Sequence, residues 1–317
     1  MCCFTQTMKN RLAWFSFLLI CIIWGTTYLF IKIGVGQMEP FYFAGIRQLS
    51  AGIILVGFVL LFQSKKIPPK AIIIQHAIAG ILLITFGNGL VTFGETHISS
   101  GLAAILVSTT PLWTAIINEF RSDEQRLSGM GYLALGLGLA GILGIFSNSL
   151  GGHMDTGWLL GVTCTMGATF AWIWGSIIVG GKTKGYNIFA VTGIQMLSGG
   201  VFLMIISLLF EKDHSISFDS SGWIAMLALI FAGSIIAMVA YTHALSHLPL
   251  QVVTMYAFIN PIVALIVGKI FLDEELTLRT VLFSCLIIVA VILLNLKVSK
   301  RKKKENLADS PIPISGN

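Results

Sequence analysis

A helix that crosses a bilayer needs about 20 mostly apolar residues. This chain contains ten such stretches: 12–34, 41–62, 71–93, 100–118, 129–147, 157–179, 188–209, 222–244, 250–271 and 278–297. None carries sustained period-two alternation, which argues against a β-barrel. Inside lipid each backbone N–H and C=O must be bonded within its own segment, and a helix achieves that. The chain is 56% hydrophobic and 11% charged, whereas soluble domains carry about 25% charged residues. The expected fold is therefore an all-α integral membrane protein with ten transmembrane helices. The first stretch follows Lys9 and Arg11, as a signal peptide would. It is too long for one and no small-residue cleavage site closes it, so it reads as a retained helix.

The formal net charge is +6, but its placement excludes nucleic acid as a partner. The basic residues cluster between apolar stretches and in a tail holding Lys297, Lys300, Arg301, Lys302, Lys303 and Lys304. With a cytoplasmic N-terminus, Lys9, Arg11, Lys65, Lys66, Lys70, Arg121, Arg126, Lys182 and Lys184 join that tail on one side. The opposite side has little beyond Lys212 and Arg279. Basic loops stay in the cytoplasm and are drawn to anionic lipid headgroups. Both termini are thus expected inside, in a multi-pass protein of the cell membrane that contacts membrane lipids. The five cysteines include no C-x-x-C pair, so neither a disulfide framework nor a metal site is expected. Without a P-loop, ATP-driven transport by this chain alone is not expected, and no cofactor or enzymatic activity is called for.

The chain nearly repeats itself. At a spacing of 150, Trp24-Gly25 matches Trp174-Gly175, Thr92 and His97 match Thr242 and His247, Pro111 matches Pro261, and Asp123-Glu124 matches Asp273-Glu274. At a spacing of 148, Gly45-Ile46, Leu49-Ser50 and Gly52 match Gly193-Ile194, Leu197-Ser198 and Gly200. Each match falls at the same place in corresponding helices. Five is odd, so the second half enters the membrane from the other side. The expected domains are a first five-helix repeat over 12–147, an inverted second over 157–297, and a basic, disordered cytoplasmic tail over 298–317. Inverted repeats are common in secondary transporters, with the substrate near the midplane where the halves meet.

The placement of these motifs resembles the drug/metabolite transporter superfamily, in its ten-helix branch with two EamA domains. The resemblance rests on Ile23-Trp24-Gly25-Thr26-Thr27, on Gly45-Ile46-Arg47-Gln48-Leu49, and on H-I-S-S-G-L-A-A-I-L-V-S-T-T-P-L-W-T-A-I-I-N-E over 97–119. It also rests on F-I-N-P-I-V-A-L-I-V-G-K-I-F-L-D-E-E-L-T over 258–277, and covers about residues 12–297. It implies transport of small metabolites, with efflux of amino acids or drugs common among members. The four-helix relatives couple to protons through a glutamate in the first helix; this first helix has none, so that mechanism does not carry over.

Intramembrane charges and strong hydrogen-bonders are costly and default to functional candidates. Arg47 reads in two ways, as the group that attracts a substrate carboxylate or as a side chain that snorkels or bonds a neighbouring helix. Lys32 and Glu95 fall near outer helix ends, where a surface-facing or paired role is expected. Pro111 and Pro261 lie mid-helix and read as kinks that either pack or open carbonyls toward a cavity. Asn260 offers its amide to a solute or to that freed backbone. Trp24, Trp113 and Trp174 line a pocket or pack between helices. Thr26, Asn88, Gln195, Tyr241 and Tyr256 are weaker binding candidates. Gly129, Gly131, Gly136, Gly138, Gly141 and Gly144 read as a close-packing face, which also leaves a homodimer open. The expected function is a permease that moves a small solute by alternating access, as an exporter, with proton or ion coupling left open. A membrane scaffold or lipid-translocating protein is the alternative.

Overall fold

The computed structural model describes residues 2–63, 68–121, 129–150, 155–180, 183, 185–273, 277–279, 281–290 and 292–293, and every regular element among them is helical. The tail over 298–317 and the loop residues Asp123, Glu124 and Glu274 lie outside this set. α1 spans Cys2–Val35 and α2 spans Pro40–Phe62. α3 is Lys70–Gly94, with a π-helical stretch at Ile81–Gly89. α4 (Ser100–Val107) and α5 (Thr110–Arg121) follow, then α6 (Gly129–Leu150), α7 (Thr156–Val179) and α8 (Ile188–Phe210). α9 is Ser220–His247, with a second π-helical stretch at Leu229–Ile236. α10 (Leu250–Val253) passes through a 3₁₀ turn at Thr254–Phe258 into α11 (Ile259–Leu272), and α12 is Val281–Ala290.

Among the described residues, seven helices are long and apolar enough to cross a membrane, and an eighth span is the bent pair Thr254–Pro261 and Ile266–Leu272. The expected stretch 129–147 lies within α6 and 278–297 contains α12; their described apolar parts, Gly129–Gly138 and Val281–Ala290, are shorter than a span. The described residues therefore form a helical, multi-pass membrane protein, and seven or eight spans are counted among them.

Local chemistry sets several helix starts. Ser99, Asp155, Asn187 and Asp219 each accept a backbone N–H from the first turn of the helix they precede, which satisfies donors no intrahelical carbonyl can reach. Pro111 and Pro261 each stand beside a break within their stretch, and a bend of 42° follows Pro261 between Thr254–Pro261 and Ile266–Leu272. The fourth stretch is interrupted at Ser108–Thr109, and Pro111 sits in the first turn of α5. Pro261 sits in the first turn of α11, after the 3₁₀ turn. In a first turn the missing N–H has no partner to lose.

α2 and α8 cross in the most extensive helix contact of the molecule. Glycines make the crossing close. A Cβ added to Gly52 would stand 2.9 Å from the Leu197 nitrogen, and one added to Gly200 would stand 2.9 Å from the Leu49 nitrogen. Gly45 meets Met204, and Gly193 meets Val56. As the number on one helix rises, the other falls, so the two run antiparallel. Each contact recurs with the halves exchanged at the spacing of 148, which is how a two-fold axis relates self-complementary surfaces. On α6, Gly138 seats Leu112 of α5, while Gly141 and Gly144 seat Ile287 and Phe283 of α12. Those three glycines pack within the chain; Gly136, in contrast, faces open space.

The segment after α8 clasps the start of α2. Glu211 accepts the backbone N–H of Phe41 at 2.6 Å and of Tyr42 at 2.8 Å, placing a carboxylate at the positive end of a helix. Gln37 donates to Asp219 and to Ser221 and accepts from the Asp219 backbone. The Ser221 hydroxyl, the Gly222 N–H and the Gln37 amide hold the Asp219 carboxyl down to about 2. A depressed carboxylate stabilises the fold above its ordinary value of 3.8 and loses that contribution as pH falls toward about 2. Acid titration followed by amide exchange at Asp219–Gly222 should show protection intact at pH 5 and lost near pH 2; loss already complete near pH 4 would contradict this contact.

Candidate functional site

The two π-helical stretches and the breaks beside the prolines converge on one cavity. A π turn leaves backbone carbonyls off the usual i→i−4 ladder, and Trp24 takes one of them: its indole donates to the Gly233 carbonyl at 3.0 Å. The cavity holds about 620 Å³ of empty space, its open mouth included. Its wall comes from α1 (Trp24, Thr27, Tyr28, Ile31), α2 (Gln48), α3 (Gly87, Asn88, Val91), α5 (Thr110), α7 (Thr169, Trp172) and α9 (Gly233, Met238). Tyr256 of the 3₁₀ turn and Asn260 of α11 complete it. Both halves of the chain therefore share one wall.

Aromatic rings form its floor. Trp24 lies 5.3 Å from Trp172, 5.0 Å from Tyr241 and 4.8 Å from Tyr256, centroid to centroid. These separations suit edge-to-face attraction. Tyr241 is fully buried and ties the floor together: it accepts the Trp172 indole N–H at 2.9 Å and shares a hydrogen bond with Ser176 at 2.6 Å. Tyr241→Phe leaves that indole N–H without its acceptor, at a cost of about 1–3 kcal/mol. The thermal midpoint in detergent should fall by several degrees; an unchanged midpoint would mean the hydroxyl holds nothing.

The polar part of the wall is held from behind. Arg47 is 2% exposed, and its guanidinium donates to the Asn88 side-chain carbonyl. With that oxygen taken, the Asn88 amide nitrogen is the group left for a solute. Glu95 is buried and within electrostatic reach of Arg47 and of Tyr28. Of the surface-facing and paired roles expected for Glu95, its burial agrees with the paired one. Lys32 donates to the carbonyls of Glu95 and Ile98, closing the end of α3. Asn260, with its amide turned to satisfy both groups, donates to the Tyr256 and Cys21 carbonyls at 3.1 and 3.3 Å. It serves the broken backbone, while also lining the wall.

The other candidates stand elsewhere. Trp174 is 47% exposed on α7 and is not part of the wall; Trp172, two residues earlier, takes the place expected of it. Trp113 packs on Phe170 and donates to the Thr109 hydroxyl. Thr26 bonds the Ile23 carbonyl within its own helix. Gln195 is fully buried against His76, away from the cavity. Reading the sequence missed Trp172, Gln48, Tyr28 and His76. For Trp172 a signal existed: the spacing of 148 that aligns α2 with α8 also carries Trp24 onto Trp172.

A multi-helix membrane fold around an enclosed, polar-tipped aromatic cavity is the build of a solute carrier. The EamA-like transporter family matches this chain twice, over residues 11–147 and 159–296, and the chain belongs to that family. It is 35% identical over 276 residues to the uncharacterized inner membrane transporter YedA of Escherichia coli K12, covering 87% of this chain and 88% of that one. The uncharacterized transporter YoaV of Bacillus subtilis is 26% identical over 89% of this chain and 96% of its own. A protein named a probable amino-acid metabolite efflux pump in E. coli K12 is 24% identical, covering 82% and 87%. One crystal structure of a protein superposes with a TM-score of 0.67 over 91% of this chain and 98% of that chain, at 15% identity, which is a likeness of fold. The chain is a membrane transporter.

Proposed function

We propose that this protein is a secondary active transporter that exports a small amphipathic solute, such as an amino acid, by alternating access. The observation that carries this reading is the shared wall of the cavity. Trp24 and Trp172 are related by the spacing of 148, while Asn88 and Met238, and Thr110 and Asn260, are related by 150; all six line the same space. Equivalent positions from two halves around one cavity suit a device in which the halves exchange roles. The reciprocal glycine contacts of α2 and α8 support an inverted pair of five-helix domains over 12–147 and 157–297. Ten spans with both termini in the cytoplasm follow from that arrangement and from the basic loops. The cavity then faces outward, above the aromatic floor. Asn88, held and polarised by Arg47 behind it, receives the solute's carboxylate, and the aromatic rings receive its apolar part. Export rests on the relative named as an efflux pump.

The test is a thermal-shift screen of purified protein against amino acids, nucleosides, sugars, polyamines and cationic drugs. A ligand that binds only the native state raises the melting point. A hit among the amino acids that is lost in Asn88→Leu supports the reading. A hit confined to sugars or polyamines would replace the solute proposed here.

A further inference from the structure

His76 lies outside the cavity and has no role in it. It sits on α3 about three turns before Asn88, roughly 18 Å along the helix axis, and is 0% exposed. Its Nδ1 faces the Gln195 amide nitrogen at 2.8 Å. An amide nitrogen only donates, so Nδ1 accepts and the ring's single proton is on Nε2. That Nε2 has no partner, nor do the Gln195 Oε1 and the hydroxyl of Thr192, one turn earlier on α8. Three orphaned polar atoms thus lie on α3 and α8, which are pressed together at Gly80, whose Cα hydrogen faces the Gln195 backbone.

Each orphan carries the desolvation cost of an unmade hydrogen bond, so this contact gains by being hydrated. Protonation sharpens the choice. An imidazolium donates from both nitrogens. Gln195 can turn its oxygen to Nδ1 in place, but Nε2–H stays unmet and the charge stays buried with no counter-charge beside it, which strongly disfavours the charged ring in the closed contact. In the closed contact no carboxylate, lysine, arginine or second histidine among the described residues faces the ring from α8, α7 or the π-helical stretch; burial alone acts on it. Lys70, at the start of α3, is exposed, and Cys164 lies toward the other end of α7. A proton on His76 therefore disfavours the closed contact, and the closed contact disfavours the proton.

We infer that His76 and Gln195 form a proton-binding site that gates the side of the protein opposite the cavity mouth. Proton uptake favours the conformation in which α3 and α8 have parted, water reaches the ring, and the Gln195 side chain turns its oxygen toward it. By linkage, acidification on that side shifts the population toward the state open there, and loss of the proton reseals it. The inference rests on the alternating-access reading for the second conformation.

The experiment uses full-length protein in nanodiscs without added solute. Ring-labelled histidine is followed by NMR from about pH 8 to about pH 3.5, with the His76 resonance assigned by its loss in His76→Leu. Hydrogen–deuterium exchange at residues 70–80 and 188–198 is followed in parallel and corrected for intrinsic rates. The expected result is a titrating His76 whose midpoint moves in Gln195→Met, with protection of both segments falling as the ring gains its proton. His76→Leu makes that protection independent of pH. A ring that stays neutral throughout overturns the inference and makes His76 a structural core residue. The same pH-dependent protection in His76→Leu overturns it too. Titration with no change in protection leaves the proton site standing and contradicts the two-state reading instead.

Discussion

Arg47→Gln should lower the affinity of a carboxylate-bearing solute by about 10- to 100-fold while the protein still folds. The side chain is buried behind Asn88 and fixes that amide from its carbonyl side. Glutamine keeps a neutral donor for the same oxygen but removes the charge. Hydrogen bonds to charged groups contribute about 1.5–3 kcal/mol, and each 1.4 kcal/mol is tenfold in affinity. Titration calorimetry on the purified variant reads this directly. Equal affinities for wild type and variant would reduce Arg47 to a helix-packing residue, one of its two readings from the sequence.

Gly80→Ala should destabilise the protein strongly. The added Cβ would overlap the Gln195 carbonyl oxygen and come within 2.6 Å of the Gln195 Cα. Both obstacles are backbone, so α3 and α8 must separate. Overpacking of this kind costs about 1–3 kcal/mol, occasionally more. Gly57→Ala is the matched control. It lies in α2 with nothing within 4 Å of the added atom, and alanine is the better helix former by about 1 kcal/mol. Thermal midpoints should fall for the first variant and hold or rise for the second. A Gly80→Ala midpoint equal to wild type would mean that the α3–α8 contact is looser than described.

The membrane class and the family were legible because they depend on long, additive signals. Ten apolar stretches and two matched halves survive errors at individual positions. The breaks were not legible. Pro111 and Pro261 announce that something happens to a helix, but whether it kinks or restarts depends on which carbonyls find other donors. Asn260 is such a donor, and its partners Tyr256 and Cys21 come from the broken helix and from α1. The site was legible in part. Trp24, Asn88, Tyr256 and Asn260 line the cavity and Tyr241 closes its floor, because large or polar groups at depth have few other places to go. The spacing of 150 points to Trp174 rather than Trp172 because spacing fixes a helix only to within a turn, and two residues on a helix change the facing direction. His76 carries no motif; its importance lies in Gln195, which sits 119 residues away.

Solute flux through liposomes tests the central claim most directly. Liposomes holding the purified protein are loaded with an equal mixture of the common amino acids, and their exit is followed by mass spectrometry alongside that of a fluorescent lipid. The account predicts exit of a subset of amino acids that depends on the protein, fails in Arg47→Gln, and leaves the lipid in place. Movement of labelled lipid with no amino acid leaving would contradict it and make the protein a lipid translocator.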